Sequence, residues 1–325
     1  MLAALAVCAL IAALAAGALC FGVYGDRSHP QTTSQVVVER GATLDEIAAQ
    51  LVSQGVISNA LTFRALAKLR GQDVAVRAGE YRFTPRMTQS EVLQALVTGG
   101  AQVATWVTIP EGFTAAQIAQ RLESAGLGDA AAFRDDFLRE NLSVDGARTK
   151  GLEGFLFPST YLVPLGAAPS QVAAIFTAQF VKELPRDAAV RAKRLHVTVP
   201  QAVAVASLVE REAKSEVDRP QIAAVIYNRL RERMPLQVDA TIEYALPQHK
   251  SALSFSDLRI DSPYNSYEHT GLPPTPIANP GRPSLEAAFN PAKSDNLYYV
   301  YCGNGRHVFA KTLAEHQANV ARCLQ

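Results

Sequence analysis

The 325-residue chain has almost no excess charge of either sign: 31 Lys and Arg stand against 30 Asp and Glu, a formal net charge of +1. Such a balance argues against nucleic-acid binding, which calls for a basic face and a high pI. Cysteine is scarce, with four in the sequence, too few to staple a small scaffold with disulfides. Aromatic residues supply only 7%, yet 48% of the residues are hydrophobic, which excludes a disordered polymer. No P-loop, H-E-x-x-H or G-x-S-x-G occurs, so the signatures of nucleotide, zincin and serine-hydrolase chemistry are missing. A wholly apolar stretch without any charge, Leu2 to Val23, stands near the start.

That stretch is mostly Leu, Ala, Val, Ile and Gly. As a helix at about 1.5 Å per residue it would span the roughly 30 Å hydrocarbon core of a bilayer. A cleaved signal peptide needs basic residues before a shorter apolar core, and here none precedes the run. Cys20 follows the bulky Leu19, where a lipoprotein cleavage site requires a small residue. Residues 1–25 are therefore expected to be an uncleaved transmembrane anchor. With the first charges at Asp26 and Arg27, the positive-inside rule says little about its orientation.

Beyond it the sequence repeats itself. Gly41, Thr43, Ile47, Ala48, Leu51, Ser53 and Gly55 recur 71 residues later as Gly112, Thr114, Ile118, Ala119, Leu122, Ser124 and Gly126. After a one-residue gap Phe63 matches Phe133. Each copy reads as a β-branched strand, a glycine turn, a threonine N-cap and an amphipathic helix stopped by glycine. Between the copies, Gly79–Phe83 reads as a strand and Thr88–Val97 as a further capped helix. These strand–helix units resemble the LysM-type glycan-binding module, although a pure packing or spacer role explains the same pattern.

Pro200–Ala213 reads PQAVAVASLVEREA. Proline suits a first helical turn, and Ala202–Val209 is apolar apart from Ser207, so this helix should be buried nearly all round. Glu210 and Glu212 then appear about 200° apart on the helical wheel. Glu212 continues the bulky stripe of Val205, Leu208 and Val209, whereas Glu210 follows Ala206 and Ser207. A carboxyl held against bulky apolar groups has its ionised form disfavoured, as a general acid near neutral pH requires. Spacing alone leaves Glu210 as a competitor. An ordinary helix end, with either glutamate solvated or paired to Arg211, Lys214 or Arg219, is the plainer alternative.

Further motifs follow in order. They are E-G-F-L-F-P-x-T-Y at Glu153–Tyr161, A-S-x-V-E-x-E at Ala206–Glu212, and Y-N-R-L at Tyr227–Leu230. After these come L-Q-x-D-x-T from Leu236, Y-N-S-Y from Tyr264, G-L-P-P from Gly271 and I-x-N-P-G from Ile277. In their number and order they resemble the YceG-like family, the endolytic murein transglycosylases of the MltG type. The resemblance implies an α+β fold: an N-terminal transmembrane helix at 1–25, a LysM-like α/β module at 34–105 and a mixed α/β catalytic domain at 106–325. The second LysM-like strand–helix unit would fall at 106–135.

The chemistry implied is cleavage of the β-1,4 bond between N-acetylmuramic acid and N-acetylglucosamine inside a glycan strand, giving 1,6-anhydro ends. The resemblance makes Glu212 the catalytic residue. Asp239 is the candidate second carboxylate; with Gln237 and Thr241 it is expected to structure the cleft or contact sugar, and it could instead cap the following helix. The loop Ser262–Ser284 carries six prolines, which should exclude regular structure. The resemblance puts its Tyr264, Asn265 and Asn279 at the cleft. Glu153 is expected to support the site, with Arg229 as a plausible partner.

Expected partners are peptidoglycan strands, the inner membrane and peptidoglycan synthases, with the catalytic domain periplasmic and no cofactor. A muramidase-type hydrolase and a non-catalytic wall-binding scaffold are the alternatives. Cys302, His307, His316 and Cys323 lack the tight paired spacing of a zinc site, so no metal is expected. The two cysteines could instead join in an oxidising periplasm.

Overall fold

The structure, a computed structural model, describes residues 17, 33–248, 250, 252–303 and 305–323. Apart from Gly17, the expected membrane anchor lies outside these residues. Among the described residues no helix is long and apolar enough to cross a membrane. The fold is mixed α+β and divides into two compact units.

The first unit runs up to Val107 and takes in Tyr161–Gly166. Its strands are β1 (Ser34–Val38), β2 (Gly79–Phe83), β3 (Gln102–Thr108) and β6 (Thr160–Pro164), in the sheet order β1-β2-β3-β6. Strands β4 (Ser143–Val144) and β5 (Ala147–Arg148) form a separate short ribbon in the second unit. Tyr161–Gly166 thus differs from the expected boundary: although it follows a motif of the catalytic region, its strand completes the first sheet. Helices α1 (Leu44–Ser53), α2 (Ala60–Leu69) and α3 (Gln89–Thr98) supply Ile47, Leu51, Phe63, Leu93 and Leu96 to a core shared with Val36, Tyr81 and Phe83. Alternation along β1 and β2 turns these residues to one face.

The second unit comprises Thr108–Thr160 and the chain from Ala167 onward. Helices α4 (Ala115–Ser124) and α5 (Ala130–Arg139) pack together, and α6 (Pro169–Glu183) lies against α5. Helices α7 (Ala188–Arg194), α9 (Arg219–Arg231), α10 (Asp239–Ala245) and α11 (Arg282–Phe289) all pack on α8 (Val199–Glu212). A hairpin, β7 (Tyr298–Tyr301) and β8 (His307–Ala310), is followed by α12 (Leu313–Cys323).

The two copies of the repeat have one local design. Thr43 caps α1 in a capping box with Glu46, and Thr114 caps α4 in a capping box with Gln117. The glycines before and after each helix have positive φ, and Phe63 and Phe133 are buried. The copies nevertheless fall in different units. The proline-rich loop is free of regular structure as far as Gly281; its last proline, Pro283, then sits in the first turn of α11, where a missing N–H costs nothing.

Helix α8 organises the second core. Thr198 caps it with Gln201, Pro200 stands in its first turn, and every residue from Ala202 to Val209 is buried. Ser207 is tolerated there because its hydroxyl donates to the Ala204 carbonyl (2.7 Å) and accepts from the Ile277 N–H (3.1 Å). At the other end of the chain Cys302 and Cys323 form a disulfide across a sequence separation of 21 residues, tying α12 to the hairpin.

Gly154 sets one close approach. Its φ is +89°, and an added Cβ would fall on the ring of Pro276, inside van der Waals contact. Gly154→Ala should therefore combine backbone strain with overpacking and lower stability by about 2 kcal/mol or more. Chemical denaturation against the parent chain measures this, and an unchanged midpoint would contradict the packing described.

Candidate active site

Helix α8 emerges from the core at its last turn, and successive side chains about 100° apart meet different surroundings. Glu210 turns inward: its carboxylate accepts from the Gly281 N–H (3.0 Å) and lies 3.5 Å from the Arg219 guanidinium, with both side chains nearly buried. Arg211 bonds Glu243 of α10 at 2.8 Å. Glu212 is half-buried and accepts a 3.0 Å hydrogen bond on Oε2 from the Tyr299 hydroxyl. The ambiguity between the two glutamates is thereby separated by environment: one is ion-paired and braced, the other faces a cavity.

That cavity has a volume of about 580 Å³, and Glu212, Asp239, Tyr267, Tyr299, Arg229 and His307 are among its lining residues. Burial holds the Glu212 carboxyl above the usual carboxylate range. The negative charges of Asp239 and Glu243 push the same way, while the Tyr299 hydroxyl and Lys214 pull against them. Its place at the C-terminal end of α8, where the helix dipole disfavours an anion, acts with burial.

Asp239 is exposed, begins α10, and accepts from the Tyr267 hydroxyl. It does not cap the helix, whose N-cap is Val238. Gln237 also lines the cavity, exposed and with φ at +52°, a left-handed conformation that non-glycine residues rarely adopt. The remaining expected contacts turn out to be construction members. Thr241 is fully buried and donates to the Val238 carbonyl (2.7 Å) beside Ser266 (2.9 Å). Asn265 is fully buried and donates to the Leu258 and Ile260 carbonyls. Tyr264 packs on Tyr244 and bonds Thr275 (2.8 Å). Direct sugar contact is therefore corrected for Thr241 and Asn265, because nothing of their side chains is open to a ligand.

The same correction applies to Asn279. Fully buried, it donates to the Phe113 carbonyl (2.9 Å) and to Glu153 (2.9 Å), and accepts from the Leu156 N–H (2.8 Å). Glu153 in turn accepts from the Ala115 N–H with both oxygens (3.0 Å each) and from the Tyr244 hydroxyl (3.2 Å). Arg229 is not its partner. That guanidinium instead donates to the carbonyls of Leu297 (2.7 Å), Leu236 (2.8 Å) and Pro235 (3.2 Å), and it sits over the Tyr298 ring. It thereby joins the L-Q-x-D turn to the hairpin.

The sequence places His307 on a strand after a glycine hairpin turn but does not bring that hairpin to the site. Tyr299 and Tyr301 share one face of β7 by strand alternation and line the cavity. His307 lines it too, with backbone N–H (2.7 Å) and ring Nδ1 (3.1 Å) both on the buried Asp218 carboxylate. The signal available was the run Y-Y-V-Y, aromatic at alternate positions and followed two residues beyond a glycine turn by histidine. The disulfide takes up both cysteines that a zinc site here would have needed.

The chain matches the YceG-like family model over residues 36–322 and belongs to that family. It is 34% identical over 309 residues to the endolytic murein transglycosylase of Bacillus subtilis (strain 168), covering 88% of this chain and 83% of the relative. Identity to the endolytic murein transglycosylase of Streptococcus pneumoniae serotype 2 is 32% over 320 residues, covering 88% of this chain and 57% of that longer protein. The crystal structure of a yceG-like protein from Listeria monocytogenes superimposes with a TM-score of 0.61 at 32% identity, covering 89% of this chain and 99% of that one.

Burial raises the Glu153 carboxyl from 4.5 to about 7 against its several hydrogen bonds. The folded state thus binds a proton where the unfolded state does not. The associated stability is complete below about pH 4.5 and is lost as pH rises through about 7, an effect of up to about 3 kcal/mol. Glu153→Gln should flatten that slope in denaturation curves collected across the window; an equally steep slope would assign the pH dependence elsewhere.

Proposed function

We propose that this chain is an endolytic peptidoglycan lytic transglycosylase in which Glu212 acts first as acid and then as base. One observation carries the reading: the second glutamate of E-x-E is a half-buried carboxyl of raised proton affinity on the wall of a polar cavity. The endolytic murein transglycosylases at 34% and 32% identity support it. The protonated carboxyl gives its proton to the oxygen of the β-1,4 bond between N-acetylmuramic acid and N-acetylglucosamine, and that bond breaks at C1. The carboxylate then takes the proton of the muramic C6 hydroxyl as its oxygen bonds C1, closing a 1,6-anhydro ring. No water is consumed, and the glutamate ends as it began. Such an activity would terminate the elongation of nascent glycan strands.

Asp239 opens a second reading, because a further carboxylate on the same cavity is what a hydrolase needs. Its engagement by the Tyr267 hydroxyl favours holding the cleft in shape over activating water. Tethering to the inner membrane with the catalytic unit periplasmic is supported by the uncharged run Leu2–Val23 and by the disulfide, which persists in oxidising compartments. The capped strand–helix design of the first unit supports a LysM-like role in holding glycan. Peptidoglycan synthases that lay down such strands are the fitting partners.

Mass spectrometry of digested glycan strands separates the readings, since transglycosylation leaves anhydromuramyl ends and hydrolysis leaves reducing ends. Glu212→Gln should remove the anhydro products with a rate loss of about 10²–10⁴. Glu210→Gln should chiefly cost stability, because it breaks a nearly buried ion pair. Retained activity in Glu212→Gln would sink the assignment. In addition, Asp239→Asn removes a negative neighbour that raises the Glu212 pKa. The acid should then lose its proton at lower pH, moving the alkaline limb of the kcat/KM profile toward acid; a limb that stays in place would show that Asp239 exerts no such influence.

A further inference from the structure

A second cavity of about 500 Å³ lies next to the first within the same unit. Both cavities are lined by Arg211, Ala240 and Glu243, so the 2.8 Å ion pair between α8 and α10 belongs to their common wall. The far wall is helical: Ala116, Gln117 and Gln120 of α4 and Arg134 of α5 face it, with Tyr244 opposite on α10.

The sequence repeat shows what is special about this wall. The positions that build the helix core are the same in both copies, Ile47, Ala48 and Leu51 matching Ile118, Ala119 and Leu122. Of the five positions of this copy that line the cavity, Thr114 repeats Thr43, and Ala115, Ala116, Gln117 and Gln120 differ from their counterparts. Where the first copy has Asp45, Glu46 and Ala49, the second has Ala116, Gln117 and Gln120. Two carboxylates have become a methyl and an amide, and a further amide has been added. Primary amides both donate to and accept from hydroxyl and acetamido groups.

The ionisable lining is likewise balanced: Arg134 and Arg211 against Glu153 and Glu243. Arg211 is already paired with Glu243, and burial disfavours the charged form of Glu153. Apolar surface is supplied by Leu138, Pro247 and Ile277. Amides, paired charges and apolar patches together match the hydroxyl and acetamido groups and the apolar ring faces of N-acetylated sugars.

We propose that this second cavity is a glycan subsite, seating N-acetylhexosamine units of the strand on one side of the bond cut at Glu212. The proposal rests on the transglycosylase reading for the identity of the polymer. It also gives the second copy of the repeat a distinct task, as a wall of the cleft.

The test uses the full chain with Glu212→Gln, so that binding is read without turnover. Calorimetry with defined N-acetylglucosamine–N-acetylmuramic acid tetrasaccharide and octasaccharide gives the ratio of the two dissociation constants. Ala116→Trp, which fills the cavity from an exposed position, should weaken octasaccharide binding about tenfold and change the ratio by a similar factor. Gln120→Ala with Arg134→Ala, both exposed, should change the ratio about threefold and keeps the test open should the tryptophan variant fail to fold. A ratio unmoved by either variant overturns the subsite. Anhydro products that persist in Glu212→Gln would instead overturn the catalytic assignment, and the two failures are read independently.

Discussion

A helix buried on every side must bring its charged end out of the core somewhere, and in this protein that exit point is the cavity lined by Glu212 and Asp239. Ala202–Val209 is enclosed by four other helices, so no polar residue in it is free to reach water. The three residues that follow inherit its rigid direction and divide by angle. Glu210 is neutralised by Arg219 and a backbone N–H, Arg211 on the cavity wall is committed to Glu243, and Glu212 faces the cavity with a carboxylate oxygen on the Tyr299 hydroxyl. Its raised proton affinity follows from the same geometry, because a short side chain at the end of a packed helix cannot swing away from the protein to be fully hydrated.

Around that helix the polar residues of the ordered motifs serve mostly as joints. Asn279 and Glu153 tie the start of α4 to the segment before β6 and to the proline-rich loop. Tyr227, Asn228 and Arg229 of α9 donate to the carbonyls of Ala288, Ser294, Asn296 and Leu297, fixing the approach to β7. Irregular segments have no ladder of their own, so their carbonyls need side-chain donors when buried. The cleft is therefore lined by residues held from behind, and the cavity-facing Tyr299 and His307 depend on a hairpin anchored by Arg229, Asp218 and the disulfide.

Local rules read well at the helix caps and repeats. Thr43, Thr88 and Thr114 cap the helices expected of them, and Gly55 and Gly126 follow the helices they stop. The reading was poorest where residue type was taken for exposure. Asn and Thr in a loop look ready for sugar hydroxyls, yet the same groups are the best available donors and acceptors for buried backbone, and Thr241, Asn265 and Asn279 are used in that way. Tyr299 was missed because its value lies in a contact with a residue 87 positions earlier.

By itself the sequence determined the periodic: the capped helices of the repeat and of Thr88–Val97, the glycines that stop them, that one helix is buried throughout, and that its last turn carries two opposed glutamates. Those properties depend on neighbours a few residues away. Tertiary structure alone decided which glutamate is neutralised and which faces a cavity, that Arg229 serves the hairpin and not Glu153, and that the second repeat copy walls a second cavity beside the first. Each of these turns on which distant group fills the space around a side chain, and no local spacing carries that information.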